Sequence, residues 1–210
     1  MNISPAEIKK ILHSAEKHGM PGLKAQKKMA PLNRMDKSYR AEPSDAQKSS
    51  VLILLYQDES EIVIPFIERA DEGKHAGQIA LPGGKKEHFD TDNIVTAFRE
   101  AEEEIGINRN KLEYLGTLSP LYIPVSNYIV YPIVAYTETI PTFKISKNEV
   151  KRLHIIPFKA LMEIKPITKN LVFNKSTYAV PFYSYNSTDI WGATAMIISE
   201  FRDIFLSRPL

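Results

Sequence analysis

The chain is predicted to fold as a layered domain that mixes strands and helices, of α/β or α+β class. Three observations predict it. Apolar residues recur with period two in some stretches and near 3.6 in others. These stretches follow one another without a regular β-α-β alternation, which suggests a mixed sheet carrying helices. The composition, 43% hydrophobic and 25% charged over 210 residues, suits one large domain, or one domain with an extension, around a packed core.

Residues 4 to 18 place Ile8, Ile11, Leu12 and Ala15 at helical spacing. Gly19 and the Pro21-Gly22 pair are expected to stop that helix. Residues 20 to 49 are polar and read as an irregular arm, so the division expected is an N-terminal helix and arm over 1–49, packed on a core domain over 50–210. Val51 to Tyr56 is a continuous apolar run, as in a strand buried on both faces. Asp58-Glu59-Ser60 makes a turn, and Ile62 to Arg69 forms a second, alternating strand. A loop, the Pro82-Gly83-Gly84 turn and a helix from about Asp92 to Ile105 follow. Leu112–Leu118, Tyr128–Tyr136 and Val150–Pro157 give further strand or mixed segments. Val172–Val180 and Pro181–Tyr185 look like a late hairpin, and Ile190–Leu206 reads as the C-terminal helix.

Composition also excludes chemistry. The chain has no cysteine, so disulfides, thiolate zinc sites and cysteine nucleophiles are absent. A formal net charge of +2 gives no bulk attraction for nucleic acid or an anionic membrane. Neither a recognition helix nor a basic face is evident after Lys147. No apolar run approaches the roughly 18 residues that span a bilayer. Met1 to Met20 reads as an amphipathic helix and not as a secretory signal, so a cytoplasmic location is expected. A homodimer is compatible with the chain.

The chemistry concentrates in one helix. At about 100° per residue, Glu100, Glu103 and Glu104 share a face, while Ile94, Phe98, Ala101 and Ile105 fall on the opposite one. Gly106 stands where a left-handed C-cap is needed, and Asp90, Thr91 or Asp92 can cap the start. Glutamates on one face are by themselves an ordinary solvated surface. Their repulsion is relieved by a cation, and hard oxygen ligands suit Mg²⁺ or Mn²⁺, with phosphate oxygens completing the shell. Gly83 and Gly84 allow backbone to approach a metal or a phosphate closely. Arg99 can hold a carboxylate or bind a phosphate. What singles out the segment is the ordered combination. It runs Gly84, five residues, Asp90, eight residues, then Arg99-Glu100-Ala101-Glu102-Glu103-Glu104-Ile105-Gly106-Ile107.

This segment resembles the signature of the Nudix hydrolases: Gly, five residues, Glu, seven residues, then Arg-Glu-aliphatic-x-Glu-Glu-x-Gly-aliphatic. Asp90 stands where Glu is usual, and one extra residue separates it from Arg99, so the outer-shell role of that position is not carried over to Asp90. The resemblance implies an α/β/α sandwich with a mixed β-sheet and cleavage of a nucleoside diphosphate linked to another moiety. It implies Glu100 and Glu104 as principal metal ligands, Glu103 as a further ligand or water-orienting base, and Arg99 as the residue that fixes a carboxylate. It also implies the Gly83 carbonyl as an added ligand.

A narrower resemblance, to the coenzyme A pyrophosphatase branch, rests on Arg69-Ala70 and His75-Ala76-Gly77-Gln78-Ile79-Ala80-Leu81-Pro82-Gly83-Gly84. Phe66-Ile67-Glu68-Arg69 covers that branch's Leu-Leu-Thr-x-Arg loosely, Gly73 occupies its basic position, and Leu81 replaces its Phe. Ile190-Trp191-Gly192-Ala193-Thr194 is also similar to it. This resemblance implies coenzyme A or an acyl derivative as substrate, cut to a 4′-phosphopantetheine and adenosine 3′,5′-bisphosphate. Arg69, His75, Gln78 and Gly84 are then the expected substrate-binding residues, with Lys74, Lys85 and Lys86 as further cations. Two alternatives stand beside it. One is a Nudix hydrolase of ADP-ribose or a dinucleotide. The other is a catalytically silent, nucleotide-sensing module, against which the intact acidic set argues.

Overall fold

A computed structural model describes residues 3–31, 43–71, 75–173 and 176–207. The chain runs α1 (Pro5–His18), α2 (Gly22–Gln26), a 3-10 turn (Lys27–Met29), β1 (Gln47–Asp58), β2 (Glu61–Arg69), β3 (Ile79–Ala80) and β4 (Gly83–Lys85). Next come α3 (Asn93–Ile105), a 3-10 turn (Arg109–Lys111), β5 (Glu113–Thr117), β6 (Leu121–Ile123), β7 (Tyr128–Thr137) and β8 (Val150–Pro157). The chain continues with α4 (Phe158–Glu163), β9 (Ile167–Phe173), β10 (Ser176–Tyr185), β11 (Thr188–Ile190) and α5 (Gly192–Leu206).

The apolar run that predicts a doubly buried strand is the centre of the larger sheet. β1 lies parallel to β7, from Gln47 opposite Tyr128 to Tyr56 opposite Thr137. It lies antiparallel to β2 and β4. β2 carries β3 and β8, and β7 carries β5 and β6, all antiparallel. One parallel pair among antiparallel ones makes the sheet mixed. Leu52 and Leu54 face α3 with Ile133, Ala135, Ala97, Ala101 and Ile105. Ile53 and Leu55 face the other way, toward Ile8, Leu12, Ile197 and Phe201 of α1 and α5. Helices cover both faces, so the architecture is the expected α/β/α sandwich. β9, β10 and β11 form a separate antiparallel sheet.

Local sequence explains α3. Asp92 caps it, its Oδ1 accepting from the Ile94 and Val95 N–H groups at 2.8 Å each. Gly106 ends it in the left-handed region at φ 72°. Ala97 and Ala101 are fully buried, and their small side chains allow the helix to lie close on β1.

Several boundaries differ from expectation. α1 ends at Gly19, whose φ is 111°, as expected, but Gly22 opens the short α2, so 22–29 are not irregular; residues 32–42 of the expected arm lie outside the described residues. β1 starts at Gln47, ahead of residue 50, since its ladder with β7 extends polar residues into the sheet. The late hairpin pairs Ile167–Phe173 with Ser176–Tyr185, so Val172–Val180 is not one strand. Ile190 belongs to β11, and α5 starts at Gly192. No helix among the described residues is long and apolar enough to cross a membrane. Gly73 and Lys74 lie outside the described residues.

Candidate metal and substrate site

The carboxylate face of α3 lies against the β4 turn. Gly83 pairs with Val51 and Gly84 with Ser50 on β1. A Cβ on Gly83 would fall 2.6 Å from the Val51 Cα, and its φ is 151°. A Cβ on Gly84 would fall 2.5 Å from the Glu100 Cδ. The two glycines therefore do different jobs. Gly83 allows β4 to press onto β1, and Gly84 opens the space that the Glu100 carboxylate fills.

Arg99 organises the acidic residues and is itself buried. Its Nε and Nη2 donate to Asp90 Oδ1 and Oδ2 at 3.0 and 2.9 Å. Nη2 also reaches the Lys85 carbonyl at 3.0 Å and Glu100 Oε1 at 2.9 Å. Nη1 reaches Glu103 Oε2 at 2.9 Å. Asp90 accepts further from the Glu87 N–H and the Thr96 hydroxyl. Hydrogen bonds from Arg99 hold the Asp90 carboxyl down to about 2, and the same bonds raise Arg99 further. The displaced Asp90, which the sequence offers only as a helix cap, is thus the principal anchor of Arg99. The extra residue before it is absorbed ahead of the cap at Asp92.

Glu104 is buried and accepts the Gly83 N–H at 2.8 Å. Burial pushes it up to about 8, against the pull of the Gly83 N–H and the Arg69 guanidinium. Burial likewise raises Glu100, against Arg99. Glu103 is exposed and turned onto Arg99. Among the described residues no three acidic or histidine side chains converge on one point as a metal shell does. Each α3 glutamate is instead engaged by a protein donor. The donor set nevertheless fits a hard divalent cation. The Gly84 space holds the Glu100 carboxylate, two carboxylates carry a desolvation penalty that a cation would cancel, and the Ser50 hydroxyl is buried without a hydrogen-bond partner among the described residues. Ser50 pairs with Gly84, so it points to the same side of the sheet as Glu100.

Two residues of the site were missed by sequence reasoning, Ser50 and Glu149. The segment 144–149 closes on the end of α3, where the Lys144 and Ser146 N–H groups satisfy the Ile105 and Glu104 carbonyls at 2.9 Å. Glu149, exposed on this segment, repels both Glu100 and Glu104. No local signal marks it, since it lies among other charged residues far along the chain.

The expected substrate residues divide. Arg69 approaches Glu104, and its backbone N–H and carbonyl bond to the Gln78 carbonyl and Gly77 N–H at 3.0 and 3.1 Å. His75 and Gln78 are held together at 3.2 Å, which braces their turn. Lys85 contributes its carbonyl to Arg99. Trp191 packs beside Phe182, with ring centroids 5.8 Å apart, and Glu102 pairs with Arg109.

An acidic helix locked by a buried arginine behind a double-glycine turn, on a mixed sheet between helices, is the arrangement expected of a Nudix hydrolase. The NUDIX domain profile matches residues 46–175, and the chain belongs to the Nudix hydrolase family. It is 34% identical over 143 residues to the uncharacterized Nudix hydrolase NudL of Pectobacterium atrosepticum, covering 67% of this chain and 73% of that one. It is 30% identical over 174 residues to Nudix hydrolase 22, chloroplastic, of Arabidopsis thaliana, covering 78% of this chain but only 57% of the plant protein. The crystal structure of RenU, a Nudix hydrolase from M. smegmatis, superposes with a TM-score of 0.55 at 15% identity, over 79% of this chain and 89% of that one.

Proposed function

We propose that the protein uses Mg²⁺ or Mn²⁺ to hydrolyse the pyrophosphate bond of coenzyme A or an acyl-coenzyme A. The products are a 4′-phosphopantetheine and adenosine 3′,5′-bisphosphate. The observation that carries the reading is the α3 carboxylate face, with Glu100 seated against Gly84 and Glu104 against Gly83. Glu100, Glu103 and Glu104 would hold the ion, with the Gly83 carbonyl as an added ligand. Such an ion neutralises phosphate charge and makes a coordinated water more acidic.

The chain's own residues do the positioning. Arg99 keeps Glu100 and Glu103 oriented, and Asp90 keeps Arg99 in place. Arg69 supplies a fixed cation beside Glu104, where a substrate phosphate would gain from it. Glu103 can turn from Arg99 to a water or a metal, because its own side chain is exposed while Arg99 stays held by Asp90 and Glu100. Gly84 leaves room for the Glu100 carboxylate, and His75 and Gln78 shape the turn beside Arg69. The coenzyme A assignment rests on the resemblance of residues 69–84 and 190–194. A small nucleotide partner follows from the same reading.

The test is incubation of the full chain with Mg²⁺ or Mn²⁺ and a panel of coenzyme A, ADP-ribose, NADH and dinucleoside polyphosphates, with products resolved. Preferred cleavage of coenzyme A is expected. Preferred cleavage of ADP-ribose or a dinucleotide would replace the substrate. No turnover of any member would leave a silent nucleotide-sensing module.

A further inference from the structure

A second concavity lies across the sheet edge from the carboxylate helix. It is a groove of about 290 Å³ between β8, the β10–β11 hairpin and the turn before β3. Ile79, Leu171, Phe182 and Trp191 give it apolar walls, and Glu68, Arg152 and His154 line its polar side. Its volume falls just short of the roughly 300–1,000 Å³ typical of small-molecule sites, which suits one slender segment of a ligand.

The polar groups are already satisfied by one another. Glu68 accepts from Arg152 Nε at 2.5 Å and lies 3.0 Å from His154 Nε2. The other ring nitrogen of His154 meets the Thr188 hydroxyl at 2.7 Å. Lys169 pairs with Asp189 on the rim and lies over the Phe182 ring. Burial pushes the Glu68 carboxyl up, yet the bonds from Arg152 and His154 outweigh it and hold it below its usual range. Each cation here has an anion beside it, so a phosphate finds no spare positive charge. A neutral ligand with carbon segments between amides or hydroxyls fits better. Its apolar parts meet Leu171, Phe182 and Ile79, and its polar parts meet the rim.

Position links the groove to the reaction. Side chains alternate along β2. Glu68 turns with Ile64 and Phe66 to the α5 face, and Arg69 turns to the α3 face, near Glu104. Gly77 and Ile79 line the groove, and the same turn leads through Leu81-Pro82 to Gly83. A substrate whose pyrophosphate lies at Arg69 and Glu104 has this groove as the concavity on the far side of one thin strand, β3.

We propose that this groove receives the unphosphorylated, amide-bearing arm of the substrate, with Leu171, Phe182 and Trp191 as its apolar contacts. The proposal rests on the coenzyme A reading. It assigns the adenosine bisphosphate end elsewhere, because that end needs unpaired cations.

Trp191 is the sole tryptophan of the chain, so its fluorescence reports on this groove. The test titrates the full-length protein with pantetheine and, separately, with adenosine 3′,5′-bisphosphate, and measures the KM and kcat of coenzyme A hydrolysis. The comparison protein is Leu171→Glu, at a partly exposed position. Pantetheine is expected to give a saturable change in Trp191 emission, and adenosine bisphosphate none. In Leu171→Glu the pantetheine midpoint and the coenzyme A KM are expected to rise about tenfold, with kcat changing much less. Hydrolysis of coenzyme A without a pantetheine response, or with an unaltered KM in the variant, would overturn the groove and leave the substrate reading standing. A pantetheine response without hydrolysis of coenzyme A would overturn the substrate reading, and with it the groove's part in turnover. A response to adenosine bisphosphate in place of pantetheine would overturn the assignment of the arm.

Discussion

Asp90 and Arg99 hold the site together residue by residue, and the pair answers to pH in a definite direction. The free carboxyl titrates near 3.8 and the folded one near 2, so between these values the unfolded chain binds more protons. The stability from this pair is complete above pH 3.8 and is lost as pH falls through about 2. Asp90→Asn is expected to flatten that acid limb in urea titrations at successive pH values. Asp90→Ala leaves a buried guanidinium without its principal partner and is expected to cost about 3–5 kcal/mol. Gly83 and Gly84 separate fold from function. Gly83→Ala drives a Cβ into β1 backbone and is expected to lower the melting temperature sharply. Gly84→Ala meets only the movable end of Glu100, so it should melt nearly as the parent while losing most turnover. Glu103→Gln and Glu104→Gln are each expected to lower turnover by about a hundredfold or more while remaining folded by circular dichroism. A near-normal rate in either would show that the carboxylate face is not the metal site. Of these residues, the carboxylate face, the glycines and Arg99 are legible in the sequence, because motif spacing and helical geometry mark them. The partnership of Asp90 with Arg99 is not, since the inserted residue hides it until the chain is folded.

At the scale of elements, α3 is the most self-specified. Its cap at Asp92, its stop at Gly106 and its alanine-lined packing face all follow from short-range chemistry. The segment 144–149 is the opposite case. It comes to α3 only because β7 and β8 belong to one sheet, and it brings Glu149 with it. α5 is tied to the N-terminal segment in a similar long-range way. Glu200, fully buried on α5, accepts from the Gly22 N–H at 3.0 Å, the Ser119 N–H at 3.2 Å and Gln26 Nε2 at 2.8 Å. Glu200→Ala strands these donors in the interior and is expected to cost about 2–3 kcal/mol or more. Limited proteolysis should then cut residues 19–31 well before the sheet. Cleavage no faster than in the parent would show that apolar packing of Met29 and Ala30 holds that segment.

At the scale of the whole molecule, one sheet carries two functional faces. Strand alternation turns Arg69 toward α3 and Glu68 toward α5, so in the proposed reading consecutive residues serve the metal site and the arm groove. Removing divalent metal should leave the protein folded and abolish turnover, read by a melting curve and a product assay in excess chelator. Unfolding on chelation would show that the ion is part of the core and not of the chemistry.

By itself, the sequence determined the secondary-structure periodicity, the doubly buried central strand, the acidic helix face and its glycine turn. These are properties of spacing within a few residues, where backbone geometry converts sequence directly into direction. Tertiary structure alone decided that Asp90 anchors Arg99, that Ser50 and Glu149 lie beside the carboxylate face, how the late strands pair, and that a groove opens behind β3. Each depends on contacts between residues distant in sequence, and the register of a strand pair or the closure of a loop, which no local pattern encodes, sets those contacts.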